Sequence, residues 1–464
     1  MAAFSHPVGL DVFDDLDPID PGLLADCVHC GFCLPYCPTY LVFSDEMDSP
    51  RGRIYLMGEL ANGAQVSEKA TMHLDRCLGC LACVSACPSG VDYESLLQST
   101  RAQLERHGVR SAKQRLTRSG IFALFPYRDR LRVVYAGLRA IDLAGLGRVL
   151  RGQRLAERVP RSIATALAVA PATAKRSVIL PLSPARSATR GRVSLLLGCV
   201  QDTFFSKVNR ATVEVLTAEG FDVLAPSSQG CCGALSAHAG RIDEARDFAR
   251  AVIDTFEESG TERVVVNSAG CGSAMKHYGH LLKSDTIYAS RAERFSSRVV
   301  DIMEFLASTE PVAPRHPLDL RVAYHDACHL CHGQGIRAEP REVLRQIPGL
   351  EVVDLTDKEA CCGSAGIYNL VEPETASKLG ANKADAVLAT GASLAISGNP
   401  GCNLQITSAL RTRGETLPVA HTIEVLAASI ADQTSSTLLG ESPSRSARVA
   451  PRLLRNLGEG RPRS

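Results

Sequence analysis

The chain has 464 residues and a mass of 49.6 kDa, enough for two to four domains at ~150 residues each. Hydrophobic content is 45%, charged content 22% and formal net charge +1, so no global field points to nucleic acid or acidic ligands. The 17 cysteines far exceed ordinary usage, and clustered cysteines in a reducing compartment serve more often as metal ligands or redox groups than as disulfides.

Residues 1–22 read as an acidic lead-in with Asp/Pro turns. Met1 to Asp17 lacks a charged n-region followed by an apolar h-region, so a Sec-type signal is not expected and the cytoplasm is the default compartment. No apolar run reaches the ~18 residues that suggest a membrane-spanning helix.

Residues 23–100 carry two matched cysteine runs. The first is Cys27-Val-His-Cys30-Gly-Phe-Cys33-Leu-Pro-Tyr-Cys37-Pro38, the second Cys77-Leu-Gly-Cys80-Leu-Ala-Cys83-Val-Ser-Ala-Cys87-Pro88. Both follow the spacing of bacterial ferredoxins. Three thiolates at this spacing can reach three irons of one cubane, and the fourth, before a proline, turns towards the other cluster. The expected [4Fe-4S] ligand sets are therefore crossed: Cys27, Cys30, Cys33 and Cys87 for the first cluster, Cys77, Cys80, Cys83 and Cys37 for the second. A pair of structural zinc sites fits poorly, because zinc favours two separated Cys-x-x-Cys pairs. Between the runs, Arg51 and Arg53 either pack at a solvated turn and helix start or offset cluster charge; packing is the expectation.

Residues 101–190 lack cysteine, are mostly helical by periodicity and end in a Ser/Arg/Pro linker around Pro171, Pro181 and Pro184. The stretch Ile121 to Arg158 mixes apolar residues with many arginines. It reads as an ordinary packed helix, with peripheral contact on the inner face of the cell membrane as the alternative.

The next two segments repeat one pattern. A β-type run, Val193–Leu197 or Arg321–Tyr324, leads to Cys199 or Cys328. Cys231-Cys232-Gly233 or Cys361-Cys362-Gly363 follows, then a helical pattern and a second strand, Arg263–Asn267 or Leu394–Ser397. Each half closes on Cys271 or Cys402. The steps are 32 and 39 residues in the first half, 33 and 40 in the second. Core packing of free cysteines does not explain that match, so Cys199, Cys231, Cys232, Cys271, Cys328, Cys361, Cys362 and Cys402 are candidates for a further iron–sulfur or metal site. His325, Cys328, His329, Cys331 and His332 form a local cluster, read as packing and capping or as a zinc or proton-relay site.

The expected fold is α+β/α/β and multidomain: a helical ferredoxin-like domain with two cubane clusters at 23–100, a helical segment and linker at 101–190, a duplicated α/β Cys-Cys-Gly domain at 191–312 and 318–430, and a disordered basic tail at 431–464. No GxGxxG follows a strand and no nucleophile elbow appears, so hydride chemistry would need a separate subunit.

The two cysteine runs, Pro50-Arg-Gly-Arg-Ile-Tyr55, His73-Leu-Asp-Arg-Cys77, Cys87-Pro-Ser-Gly90, Gly230-Cys-Cys-Gly233, Ser268-Ala-Gly-Cys271-Gly272 and Leu379 to Lys383 together resemble the iron–sulfur subunits of bacterial glycolate oxidases. The wider group serves glycerol-3-phosphate dehydrogenase, lactate oxidation and heterodisulfide reductase. The resemblance implies an electron-transfer subunit that passes electrons from a flavin subunit carrying FAD, through two cubanes, to a quinone or another acceptor, with glycolate oxidised on the partner. The alternatives are an iron–sulfur subunit acting in lactate or glycerol-3-phosphate oxidation, and a thiol–disulfide reductase acting at the Cys-Cys-Gly sites. Cys271 is followed by Gly-Ser-Ala and Cys402 by Asn-Leu-Gln, so each half is one cysteine short of the heterodisulfide reductase pattern.

Overall fold

Valine, isoleucine and leucine crowd the segments that open each half of the repeat, and such residues favour pleated, buried backbone. The computed structural model describes residues 13–108, 110–145, 173 and 175–440, and in it these segments form parallel strands. The first sheet holds β1 (Leu182–Ser183), β2 (Gly191–Leu196), β3 (Phe221–Leu224), β4 (Arg263–Val266) and β5 (Val299–Asp301) in the order β1-β3-β2-β4-β5. The second holds β6 (Leu320–Tyr324), β7 (Leu350–Asp354), β8 (Leu394–Ser397) and β9 (Val419–His421) in the order β7-β6-β8-β9.

Without β1 the two orders are the same, so the repeat in sequence is a repeat in topology. Among the described residues every pairing is parallel except β1 with β3. Part of the stretch read as linker thus adds an antiparallel edge strand to the first half.

Alternation sorts the strand side chains onto two faces. Val193 and Leu195 of β2 join Val322, Tyr324, Leu394 and Ile396 of the second sheet in one buried core that spans both halves. Helices Ser206–Ala218 and Thr422–Ile430 pack between the sheets within that core. The opposite faces are covered separately, Leu196 and Val266 by helix Ile242–Glu258, and Ala323 and Ala395 by helices Pro373–Ala389 and Pro400–Thr412.

The N-terminal region is helical, and its helix starts follow local chemistry. Ser49, Ser67, Asp92 and Ser111 each accept a backbone N–H from the first turn of helices Pro50–Ala61, Glu68–Asp75, Tyr93–His107 and Ala112–Leu124. Asp14 and Asp17 of the lead-in pair with Arg106, and Asp17 also with Arg246 of the first half. The short helix Ser435–Leu439 falls within the stretch read as tail; residues 441–464, and residues 146–158 of the basic stretch, lie outside the described residues. Among the described residues no helix is long and apolar enough to cross a membrane.

Candidate metal centres

The loops after Cys27 and Cys77 have matched backbones. His29 and Gly31 have φ of 53° and 86°, and the equivalent Gly79 and Leu81 have 61° and 62°. Left-handed residues between right-handed ones turn successive N–H groups inwards, a concave arrangement suited to an anionic group. The Gly79 N–H donates to the Cys77 sulfur at 3.4 Å.

Two cavities lie against these loops. Cys27, Cys30, Cys33, Cys83 and Cys87 line one. Cys37, Cys77, Cys80 and Cys83 line the other. Cys37 thus faces the cysteines of the second run, and Cys87 those of the first. All eight thiols are free, and thiols gathered around a cavity are the donor set an iron–sulfur cube requires.

Arg53 departs from the solvated turn expected of it: it is buried at 1% exposure. Its guanidinium pairs with fully buried Asp48 at 3.2 Å, donates to the His73 carbonyl at 2.8 Å and to Thr39 Oγ1 at 3.0 Å, and lies 3.9 Å from Cys37 Sγ. Arg76 and His73 each approach Asp48 at 3.1 Å. Arg51 stays half-exposed, paired with Glu46 at 2.6 Å.

Burial pushes the Cys77 thiol up, but the charges of Arg53 and Arg101 outweigh it and hold the group below its ordinary range. Burial drives Cys80 and Cys83 well above theirs. Such thiols become thiolates when a cation takes the proton's place.

The duplicated halves each gather four sulfurs. Cys199 Sγ lies 3.7 Å from Cys231 Sγ, close to the spacing of two thiolates on one tetrahedral metal. Cys232 contacts Cys271. In the second half Cys328 contacts Cys361, and Cys362 contacts both Cys361 and Cys402. Sulfur contacts, then burial, raise Cys231, Cys271 and Cys328 well above the usual thiol range.

Gly233 and Gly363 set the turn after each cysteine pair, with φ of 75° and 87°. A Cβ on Gly363 would stand 2.9 Å from the Ala376 carbonyl oxygen, so glycine is required there by conformation and by space. Both glycines donate their N–H to the first sulfur of the pair, Cys231 or Cys361, at 3.4 Å.

The second half sits against the ferredoxin-type region. Leu78, Cys80 and Ala82 share one buried cluster with Cys328, Cys361, Tyr368 and Leu379. Arg101 ties the first half to the same place, donating to the carbonyls of Cys77 at 2.5 Å and His238 at 2.8 Å. A cavity of about 520 Å³ opens beside Cys77 and Leu78, lined also by Arg101, Arg110, Arg118 and Tyr368.

The histidine cluster does not converge. His325 points to Cys362 and Cys402. His329 packs edge-on against His238 of the first half, ring centroids 4.7 Å apart. His332 lies 2.8 Å from Ser85 Oγ and 3.1 Å from the Glu359 carbonyl. The odd cysteine, Cys331, stays buried near His332 and Glu359. The three histidines leave a strand end and a short helix in different directions, while Cys331 and His332 stay together beside Glu359.

Comparison with known proteins assigns the same regions. Residues 26–91 match the family described as 4Fe-4S dicluster domain, residues 193–276 and 322–407 the cysteine-rich domain CCG, and residues 113–170 the linker region of the glycolate oxidase iron–sulfur subunit. The probable glycolate oxidase iron–sulfur subunit of Bacillus subtilis (strain 168) is 36% identical over 85% of this chain and 91% of its own length. The glycolate oxidase iron–sulfur subunit of Escherichia coli (strain K12) is 36% identical over 87% of this chain and 93% of its own. Lactate utilization protein A of an Exiguobacterium is 31% identical over 96% of its length but 50% of this chain. With both cysteine-rich regions, the linker and nearly the whole length matched, the chain belongs to the family of glycolate oxidase iron–sulfur subunits.

Proposed function

We propose that this chain is the electron-transfer subunit of a glycolate (2-hydroxy-acid) oxidase complex, receiving electrons from a flavin-containing partner and delivering them through two [4Fe-4S] clusters to a quinone or another acceptor. The observation that carries this reading is the pair of cysteine-lined cavities, one lined by Cys27, Cys30, Cys33 and Cys87, the other by Cys37, Cys77 and Cys80, with Cys83 lining both. We assign these as the two ligand sets. Bound there, cubanes supply one-electron transfer, while oxidation of the alcohol carbon belongs to a flavin.

The chain's own residues fit that task. Arg53 and Arg101 place positive charge at Cys37 and Cys77, which favours the more negative, reduced state of a cluster held there. The buried contact of Cys80 with Cys328 and Cys361 keeps water from the path between the second set and the second Cys-Cys-Gly half. The large cavity beside Cys77 suits an organic acceptor in size and position. Peripheral contact with the inner face of the cell membrane would use helix Arg128–Leu143, whose Val133 and Leu143 stand exposed beside arginines.

Lactate is the competing substrate, supported by the likeness to lactate utilization protein A. A thiol–disulfide reductase at the Cys-Cys-Gly sites is disfavoured, because attack requires an accessible thiolate and both adjacent pairs, Cys231-Cys232 and Cys361-Cys362, are buried. The test is rapid mixing of the chain with glycolate or lactate, with and without its flavoprotein partner. Bleaching of iron–sulfur absorbance by glycolate only with the partner supports the reading. Turnover by the isolated chain, or reduction by lactate alone, overturns it.

A further inference from the structure

The two Cys-Cys-Gly halves differ at one buried position. Three residues before Cys199 stands Leu196, an apolar side chain packed in the first half's core. Three residues before Cys328 stands His325, the residue after the end of β6 and just as deep, at 1% exposure. The neighbouring strand differs in step: Val266, which pairs with Leu196 and ends β4, is matched by Ser397, which ends β8.

Among the described residues neither nitrogen of the His325 ring has a hydrogen-bond partner, and neither does the Ser397 hydroxyl. A buried polar group left unpaired costs about 1–3 kcal/mol, so two such groups, one just after β6 and one at the end of β8, ask for an explanation. The ring lies with the sulfurs of Cys362 and Cys402, all three donor atoms within 4.8 Å of one another. That is the spread of ligands on one metal ion. Among the described residues no histidine joins the sulfurs of the first half in such a group.

The surroundings hold this group of donors in place. Lys383 is fully buried and already paired with Asp357 at 2.9 Å. Asn399 Nδ2 donates to Cys402 Sγ at 3.4 Å and its Oδ1 accepts from the Gly270 N–H at 3.3 Å, which fixes that sulfur from the first half.

We propose that the second half holds an iron centre of mixed nitrogen–sulfur ligation, with His325 bound to the metal beside Cys362 and Cys402, and that the first half has no nitrogen ligand. The inference rests on reading the Cys-Cys-Gly halves as metal sites. It makes the pseudo-symmetric halves chemically unequal, and it places the nitrogen-ligated centre in the half that packs against Cys80. Iron is chosen over zinc because imidazole and thiolate suit both, while only iron serves a buried neighbour of an electron-carrying site.

The test uses the full-length chain purified without oxygen from cells fed ⁵⁷Fe and ¹⁵N-histidine. Pulsed EPR of the reduced protein is expected to show a ¹⁵N coupling to iron that is lost in His325→Leu, the residue type of the first half, with the cubane signals unchanged. A variant that fails to fold is replaced by His325→Cys, expected to keep iron and lose the nitrogen coupling. A histidine coupling that persists in the variant, no coupling in the unsubstituted chain, or zinc in place of iron lost on substitution overturns the proposal. Absence of cubane signals from the unsubstituted chain instead overturns the electron-transfer reading, so the two failures are distinguishable.

Discussion

The Arg53 guanidinium lies 3.9 Å from the Cys37 sulfur, with both side chains closed off from solvent. Asp48 balances that buried charge, and Thr39 and the His73 carbonyl take its remaining N–H groups. One arginine thus joins the two cysteine runs through the helix that separates them. Arg53→Met leaves Asp48 buried beside one fewer cation, and breaking such a pair costs about 3–5 kcal/mol. A lower urea midpoint and a lower reduction potential for the cluster at Cys37 are expected. An unchanged potential in a folded Arg53→Met protein would remove Arg53 from the account.

The crossed ligand sets make a specific prediction. Cys37→Ser is expected to damage the cluster of Cys77, Cys80 and Cys83 while sparing that of Cys27, Cys30 and Cys33, and Cys87→Ser the reverse. Pairing each with a same-run variant, Cys33→Ser or Cys83→Ser, shows the assignment by EPR. Cys37→Ser should match Cys83→Ser in the signal lost; a match with Cys33→Ser would mean uncrossed sets.

Gly363→Ala tests the turn that holds the second cysteine pair. The added methyl would need left-handed backbone, at a cost of about 1–2 kcal/mol, and would press on Ala376. Thermal stability is expected to fall, along with any metal bound by Cys361 and Cys362. Full retention of both would show that the turn relaxes.

Acid should loosen the contact between the halves at His421. Its Nε2–H donates to the Asn267 carbonyl at 2.9 Å and its Nδ1 accepts from the Ile423 N–H, so the ring must be neutral. Burial lowers its pKa from 6.5 to about 4. Between those values the unfolded chain binds the extra proton, so this contribution is complete above pH 6.5 and is lost as pH falls towards 4. By pH 5 the loss is about 2 kcal/mol. Urea unfolding of His421→Gln is expected to be weaker at pH 7 and less sensitive to pH between 6.5 and 5 than the unsubstituted chain. An equal slope would contradict the assignment.

The duplicated halves were legible because short apolar runs such as Leu394–Ser397 and matched cysteine steps leave few alternatives to a buried parallel strand. The crossing of Cys37 and Cys87 is expected from the proline after each fourth cysteine, and it stays a proposal that the serine variants test. Arg53 was not. Its burial depends on Asp48, Thr39 and His73 closing around it, and only Asp48 is within five residues. Grouping His325 with His329 and His332 failed for the opposite reason: neighbours in sequence leave a strand end and a helix turn in different directions. Strand β1 was hidden because two residues between prolines carry no period.

The central claim is that the eight N-terminal cysteines hold two iron–sulfur cubanes in one electron path. Metal analysis with a potentiometric EPR titration of the anaerobically purified chain tests it most directly. Two reducible four-iron clusters whose signals broaden through magnetic interaction when both are reduced are the predicted result. Zinc with no iron, or a single cluster that survives replacement of either run, would contradict it.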